Sequence, residues 1–274
     1  MNEQGVNAFD RALALSTRDY NGMANNLSIA SRSFGNKKSD TAYEKAFVGE
    51  VCSFDTFKLD YSRRLTAAAG GGGITINTQV GGANFYTPKA TSTATTGEVS
   101  NVDNRYQLVT VSSTANVAAG DCFTIGGVES VHHITKGGTG QAKTFRVISV
   151  DSGTTMTISP PIISNQGGTN AEAQYQNVIV TASATAPITF LNTVTAAANP
   201  FWQMDALEIL PGRYAVPSDA GTAVMRATSE NGVELVMQKW YDINTMKIKY
   251  RVDTLFGVVC KQPEACGIIL FSQS

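Results

Sequence analysis

Between Ile74 and Phe190 the chain repeats one pattern: a short run in which apolar or β-branched residues alternate with polar ones, then a cluster of turn formers. The runs are ITINTQV, YQLVTVSS, CFTIGGV, TFRVISV, TMTISP and NVIVTA, and clusters such as AAGD, KGGTG, VDSGT and NQGGTN separate them. A period of two returns side chains to the same face of a strand, and Val, Ile, Thr and aromatic residues suit that pleated surface. Short strands at this spacing predict an antiparallel all-β unit over residues 74–191, a small barrel or a sandwich.

The flanks obey other signals. Ser16 is placed to cap a helix through RDYNGMANNL, and Asp40 to cap a second through TAYEKAF, whose Tyr43, Ala46 and Phe47 share a face and which Gly49 is placed to end. In RRLTAAAGGGG the run Gly70 to Gly73 has too much backbone freedom for a regular element and reads as a linker. After TAAANPFWQMDALEILPG come three or four longer strands, with turns expected at Asn231-Gly232 and Asp242-Ile243-Asn244. The expected fold class is α+β: residues 1–73 and 192–274 form one domain, interrupted by the β unit at 74–191. Such an insertion is tolerated when its two ends lie close together. Inside it, the polar stretch from Phe85 to Val102 has little to bury and is expected to form an extended surface loop.

One stretch argues for chemistry. Gly137 to Thr144 departs from the phosphate-binding pattern G-x-x-x-x-G-K-[ST] only at Ala142, with Lys143 and Thr144 following. A phosphate cradle needs a helix to start there, whereas Phe145, Val147 and Ser149 alternate with Arg146, Ile148 and Val150 as in a strand, ending in the turn Asp151-Ser152-Gly153. A turn is the better reading, with Lys143 a solvated side chain beside it. His132 and His133, the only histidines, diverge on a strand and cannot close on one metal; a half-buried barrel histidine is expected. Cys52, Cys122, Cys260 and Cys266 match neither a zinc knuckle nor C-x-x-C, so free thiols are expected. The carboxylate pairs Asp205 with Glu208 and Glu230 with Glu234 could form a glycosidase couple but suit solvated faces equally, and nothing resembles G-x-S-x-G. No enzyme, no cofactor and no metal are expected. With 16% charged residues and a net charge of -1, no basic surface is available to neutralise a nucleic-acid backbone. No leader and no membrane-spanning segment are expected.

The run SNVDNRYQLVTVSS, followed by AAGDCFTIGGVESVHHITKGGTGQAKTFRVISV and then YQNVIV, resembles the insertion domain of the major capsid (coat) proteins of short-tailed, scaffold-assembled phages of the P22 type. LALSTRDYNGMANNL with AYEKAFVGEVCSFDTFKLDY, and MDALEILPGRYAVPSDAG with KIKYRVDTLFGVVCKQPEACGIILF, resemble the flanking parts of the same proteins. The order and spacing of the pieces carry the resemblance over nearly the whole chain.

It implies the Hong Kong 97 capsid fold, with axial and peripheral domain parts at 1–73 and 192–274 and an insertion barrel at 74–191. It also implies a subunit that assembles into the pentamers and hexamers of an icosahedral shell around double-stranded DNA. A scaffolding protein during assembly and a portal at one vertex are the implied partners. The packaged DNA would be touched without sequence-specific contact, and no membrane is involved. The place implied is the virion capsid, assembled in the bacterial host cytoplasm. The loop from Phe85 to Val102 would correspond to the family's long insertion-domain loop, which reaches a neighbouring capsomer. Lys89, Glu98, Asp103 and Arg105 are the expected inter-subunit contacts. The family's N-terminal arm, extended loop and spine helix are not matched ahead of Met1, so a truncated or internally started form, or part of a gene product, is expected. The alternative is a β-rich phage adhesin or carbohydrate-binding module, which requires clustered exposed aromatics; Phe85, Tyr86 and Trp240 are scattered. A third reading is a nucleotide-dependent enzyme built on Gly137 to Thr144.

Overall fold

The computed structural model describes residues 1–32, 45–70, 72–77, 91–93, 95–97, 99–101, 105–165, 175–216, 223–230 and 232–273. The first flank holds β1 (Arg11–Ser16), α1 (Thr17–Arg32), β2 (Glu50–Val51), β3 (Phe54–Leu59) and β4 (Arg64–Leu65). The middle holds β5 (Thr91–Thr93), β6 (Val99–Asn101), β7 (Gln107–Thr110), β8 (Cys122–Val131), β9 (Gly138–Val150), β10 (Thr155–Ser159) and β11 (Ile188–Phe190). The chain closes with β12 (Ala196–Ala197), β13 (Asn199–Gln203), β14 (Leu207–Pro211), β15 (Ala223–Thr228), β16 (Glu234–Asp242), β17 (Lys247–Thr254), β18 (Phe256–Cys260) and β19 (Cys266–Ile269). The described residues are thus mostly β, and α1 is the one helix described along its length. The second predicted helix, at 41–47, falls largely outside them.

Strand β1 runs directly into α1 because Ser16 caps the helix, as its position predicts: Asp19 N–H donates to Ser16 Oγ at 3.2 Å, and Ser16 Oγ–H donates to Asp19 Oδ2 at 2.8 Å. Asn199 adds a third member, donating to Asp19 Oδ2 at 2.8 Å and accepting Ser16 N–H at 2.8 Å. The helix start is thereby tied to a strand 180 residues away.

Two compact units result, Met1–Gln203 with Glu264–Ser274, and Met204–Pro263. The first unit contains a five-stranded sheet in the order β19-β13-β1-β3-β2, in which β1 and β3 are parallel and the other pairs antiparallel. Leu13 and Leu15 of β1 pack with Tyr20 and Ala24 of α1 and with Val48, and Tyr20 Oη accepts the Val48 N–H at 2.9 Å. The same unit holds a second, antiparallel sheet in the order β11-β8-β9-β10-β7 with its own core. Phe123, Ile125, Phe145, Val147, Met156 and Ile158 fill that core, and the Phe123 ring lies 5.8 Å from Phe145 and 6.2 Å from Phe190.

The described strands do not by themselves close into a barrel. Among the described residues, the gap between the outer strands β7 and β11 is spanned by residues 74–77, which make isolated bridges at Thr75 and Ile76 and no strand of their own. Ser112 N–H donates to Thr75 O at 2.8 Å on one side, and Ile76 N–H to Ala186 O at 2.9 Å on the other. YQLVTVSS, CFTIGGV, TFRVISV and TMTISP each fall on a strand, β7 to β10. NVIVTA makes only a bridge at Val178: the backbone N–H groups of Asn177 and Val178 both turn to Ile163 O, and the Asn177 side chain fixes that turn on the Pro161 carbonyl and the Ile163 N–H. The chain leaves for this sheet and returns from it at one fully buried residue, Asn192. Its amide donates to Thr66 O at 3.0 Å and Asp121 Oδ1 at 2.9 Å, its Oδ1 accepts Cys122 N–H at 3.1 Å, and its carbonyl accepts Ala68 N–H at 2.8 Å.

The second unit pairs β14 with β18 and forms the antiparallel sheet β15-β16-β17. Both predicted turns are found: Gly232, with φ 78°, lies in the turn closed by Ser229 N–H donating to Val233 O, and Asn244 N–H donates to Asp242 Oδ1 at 3.1 Å.

Candidate assembly surfaces

The phosphate-loop look-alike is a strand. Gly138 to Gly140 already belong to β9, the reversal occurs earlier at 132–137 where Lys136 takes a φ of 56°, and β9 continues to Val150 with no helix behind Thr144. Lys143 is not the solvated side chain its neighbours suggest. Only 8% of its side chain is exposed, and its Nζ faces Glu264 Oε1 at 4.0 Å. Burial pushes its ammonium below the ordinary lysine range, and the Glu264 carboxylate opposes that push. Alternation along β9 explains the error: the strand begins six residues before TFRVISV, so Lys143 stands on the inward row with Phe145 and Val147.

His132 and His133 part company as expected of neighbours. His132 Nδ1 accepts the N–H groups of Ile134 and Thr135, each at 3.2 Å, and its ring lies against Gly5. His133 is mostly exposed, and its Nδ1 lies 3.1 Å from Glu264 Oε2. Among the described residues no group of three His, Cys, Asp or Glu could hold a metal. The paired carboxylates are occupied singly: Glu208 meets Lys261 at 2.6 Å and Glu234 meets Arg226 at 2.7 Å. None of the four cysteines is joined in a disulfide. No described helix is long and apolar enough to cross a membrane.

Of the expected inter-subunit contacts, Lys89, Glu98 and Asp103 lie outside the described residues, as do Phe85 and Tyr86. Arg105 is described and exposed, its guanidinium 5.1 Å from the centre of the Tyr106 ring.

The largest feature was not anticipated from the sequence. Cross-strand register puts Met225, Met237 and Val252 in one row, Ala223, Lys239 and Tyr250 in the next, and Ala227, Leu235 and Thr254 beyond, with Tyr241 beside Ile248. These share one face of the β15-β16-β17 sheet. The other face carries Arg226 with Asp253, Gln238 with Arg251, and Trp240 with Lys249, the last 5.8 Å above the indole ring. On the apolar face Met225, Leu235, Tyr241, Ile248, Tyr250 and Val252 are each 46–65% exposed. In this unit the buried apolar side chains among the described residues are Ala206 and Val236. A sheet this small, with one face unburied, is a surface waiting to be covered. The signal was the alternation in KIKYRVDT, legible as a strand but silent about what lies over it.

Across the whole of this architecture, a family model described as P22 coat protein, gene protein 5, matches residues 1–272. The chain belongs to the P22 coat protein family. It is a structural subunit of a phage virion capsid, not an enzyme, and as a coat protein it self-assembles. The solved CUS-3 coat protein I-domain is similar to it at 40% identity over 43% of this chain and 95% of that one, with a TM-score of 0.33.

Proposed function

We propose that this coat protein builds an icosahedral shell of pentamers and hexamers around double-stranded DNA. In this reading residues 1–73 and 192–274 form the Hong Kong 97-like body, and residues 74–191 form an insertion barrel completed by the bridges of Thr75 and Ile76. Two separate cores and the Asn192 clasp, which gathers Thr66, Ala68 and Cys122 at one point, support that division.

The observation that carries assembly is the open apolar face of β15-β16-β17. Apolar surface removed from water contributes roughly 25 cal/mol per Å², and modest contacts multiply over a closed shell. The face is buried against coat protein in the shell. One element of suitable length is the spine helix implied by the family resemblance, since the nine residues of β16 span about 30 Å, the length of a helix of about twenty residues. Packaged DNA is held without sequence-specific contact, and a scaffolding protein and a portal act at assembly and at one vertex.

The test pairs the wild type with Tyr250→Lys/Val252→Lys under assembly conditions with scaffolding protein, followed by electron microscopy and sedimentation. Shells from the wild type and none from the variant, with unchanged circular dichroism, are expected. Equal shell yield from both sinks the reading. The insertion loop is proposed to contact a neighbouring capsomer through Lys89, Glu98, Asp103 and Arg105. Arg105→Glu is therefore expected to lower the denaturant concentration at which assembled shells fall apart, leaving subunit folding unchanged.

A further inference from the structure

Both histidines of the chain sit on the hairpin that joins β8 to β9, and that hairpin rests on two flanking segments at once. The turn at Asn2–Gln4 meets it through Gln4 O, which accepts the His133 N–H at 3.0 Å, and through Gly5, where an added methyl would stand 2.7 Å from His132 Cε1. The turn at Pro263–Ala265 meets it through Glu264, one oxygen 3.1 Å from His133 Nδ1 and the other 4.0 Å from Lys143 Nζ. A single carboxylate thus answers two groups on a hairpin more than 120 residues away in sequence.

We propose that Glu264 and His132 form an acid-sensitive latch that seats the β8–β9 hairpin on the flanking parts of the chain. The mechanism follows from donors and acceptors. His132 Nδ1 accepts two N–H groups, from Ile134 and Thr135, so its proton is on Nε2. A second proton turns that acceptor into a donor facing two donors, and the reversal must rearrange. Histidine is the side chain suited to make this change between pH 5 and 8. Rearrangement of the turn moves His133 relative to Gln4 O and Glu264, and it works against the attraction that a second proton on His133 adds to the Glu264 contact.

Two of the other charged groups nearby are already engaged. Lys136 Nζ donates to Gln176 O at 3.1 Å, and Arg11 donates to Asn7 O, Val6 O and Asn2 Oδ1 at 2.6 Å each. Glu3 and the Met1 amino group lie on the Asn2–Gln4 side, and Glu129 on β8 itself. Opening the latch frees the insertion sheet to change its angle about the Asn192 clasp, a motion a shell subunit can use when its neighbours rearrange.

The experiment is amide hydrogen exchange of the full chain at pH 8 and pH 5, expressed as protection factors for Ile134 and Thr135, with melting midpoints recorded in parallel. Wild type is expected to lose about tenfold protection at pH 5, while His132→Asn, whose Oδ1 can accept without titrating, keeps its protection at both. Glu264→Gln is expected to be open already at pH 8. Glu264→Gln/Lys143→Met, which leaves no unpaired buried ammonium, is expected to recover the melting midpoint but not the protection. Unchanged wild-type protection at pH 5, acid sensitivity retained in His132→Asn, or full protection at pH 8 in the double variant each overturns the proposal.

Discussion

Lys143 brings an ammonium into the wall of the insertion sheet with one carboxylate, Glu264, at 4.0 Å. A separation that long offsets only part of the desolvation, which is why burial dominates its lowered proton affinity. The sign of the consequence is fixed: a folded-state value below the ordinary 10.5 means the penalty is present at neutral pH and disappears as pH rises toward 10.5. Lys143→Met is expected to raise stability by about 1 kcal/mol at pH 7 and to abolish the alkaline rise, read by chemical denaturation from pH 7 to 10.5. Asn192 is the opposite case, a buried polar group with every contact satisfied. Asn192→Ala strands Cys122 N–H and Asp121 Oδ1 together, so a loss of about 2–4 kcal/mol is expected in the same assay.

At the scale of elements, the start of α1 and the turn of the β16–β17 hairpin are held by side chains whose placement the sequence announces. Ser16→Ala removes the acceptor for Asp19 N–H and is expected to cost about 1 kcal/mol by thermal melting. Asp242 is held down to about 2, first by its hydrogen bond from Lys249, then by Thr245 and the Asn244 N–H. Its folded value lies below the ordinary 3.8, so the stability it contributes is present above that value and lost as pH falls toward about 2. Asp242→Asn is expected to flatten the acid limb of the hairpin's stability, followed by Trp240 fluorescence between pH 5 and 2. Turns and caps were legible because they depend on neighbours a few residues apart. Strand β1 and the start of β9 were not, since ALAL and GGTGQA become strands only through partners elsewhere: β3 and β13 for the one, β8 for the other.

For the whole molecule, two apolar clusters with no shared residue predict two unfolding transitions. Leu15→Ala is expected to lower one by about 3 kcal/mol and Ile125→Ala the other by a similar amount, each leaving its counterpart in place, with calorimetry as the readout. The sequence by itself determined the alternating strands of the middle, the cap at Ser16, both hairpin turns of the second unit and, through the order of its pieces, the coat-protein family. These are set by local periodicity and short-range hydrogen bonding, which one chain carries in its own spacing. Only the tertiary structure decided that Lys143 points inward, that Glu264 meets His133, that Asn192 gathers the two ends of the insertion, and that one face of β15-β16-β17 stays open. Each depends on groups between 70 and 131 residues apart finding one another across sheets, or on finding no cover at all, and a pattern of period two records which face a residue is on but not what that face meets.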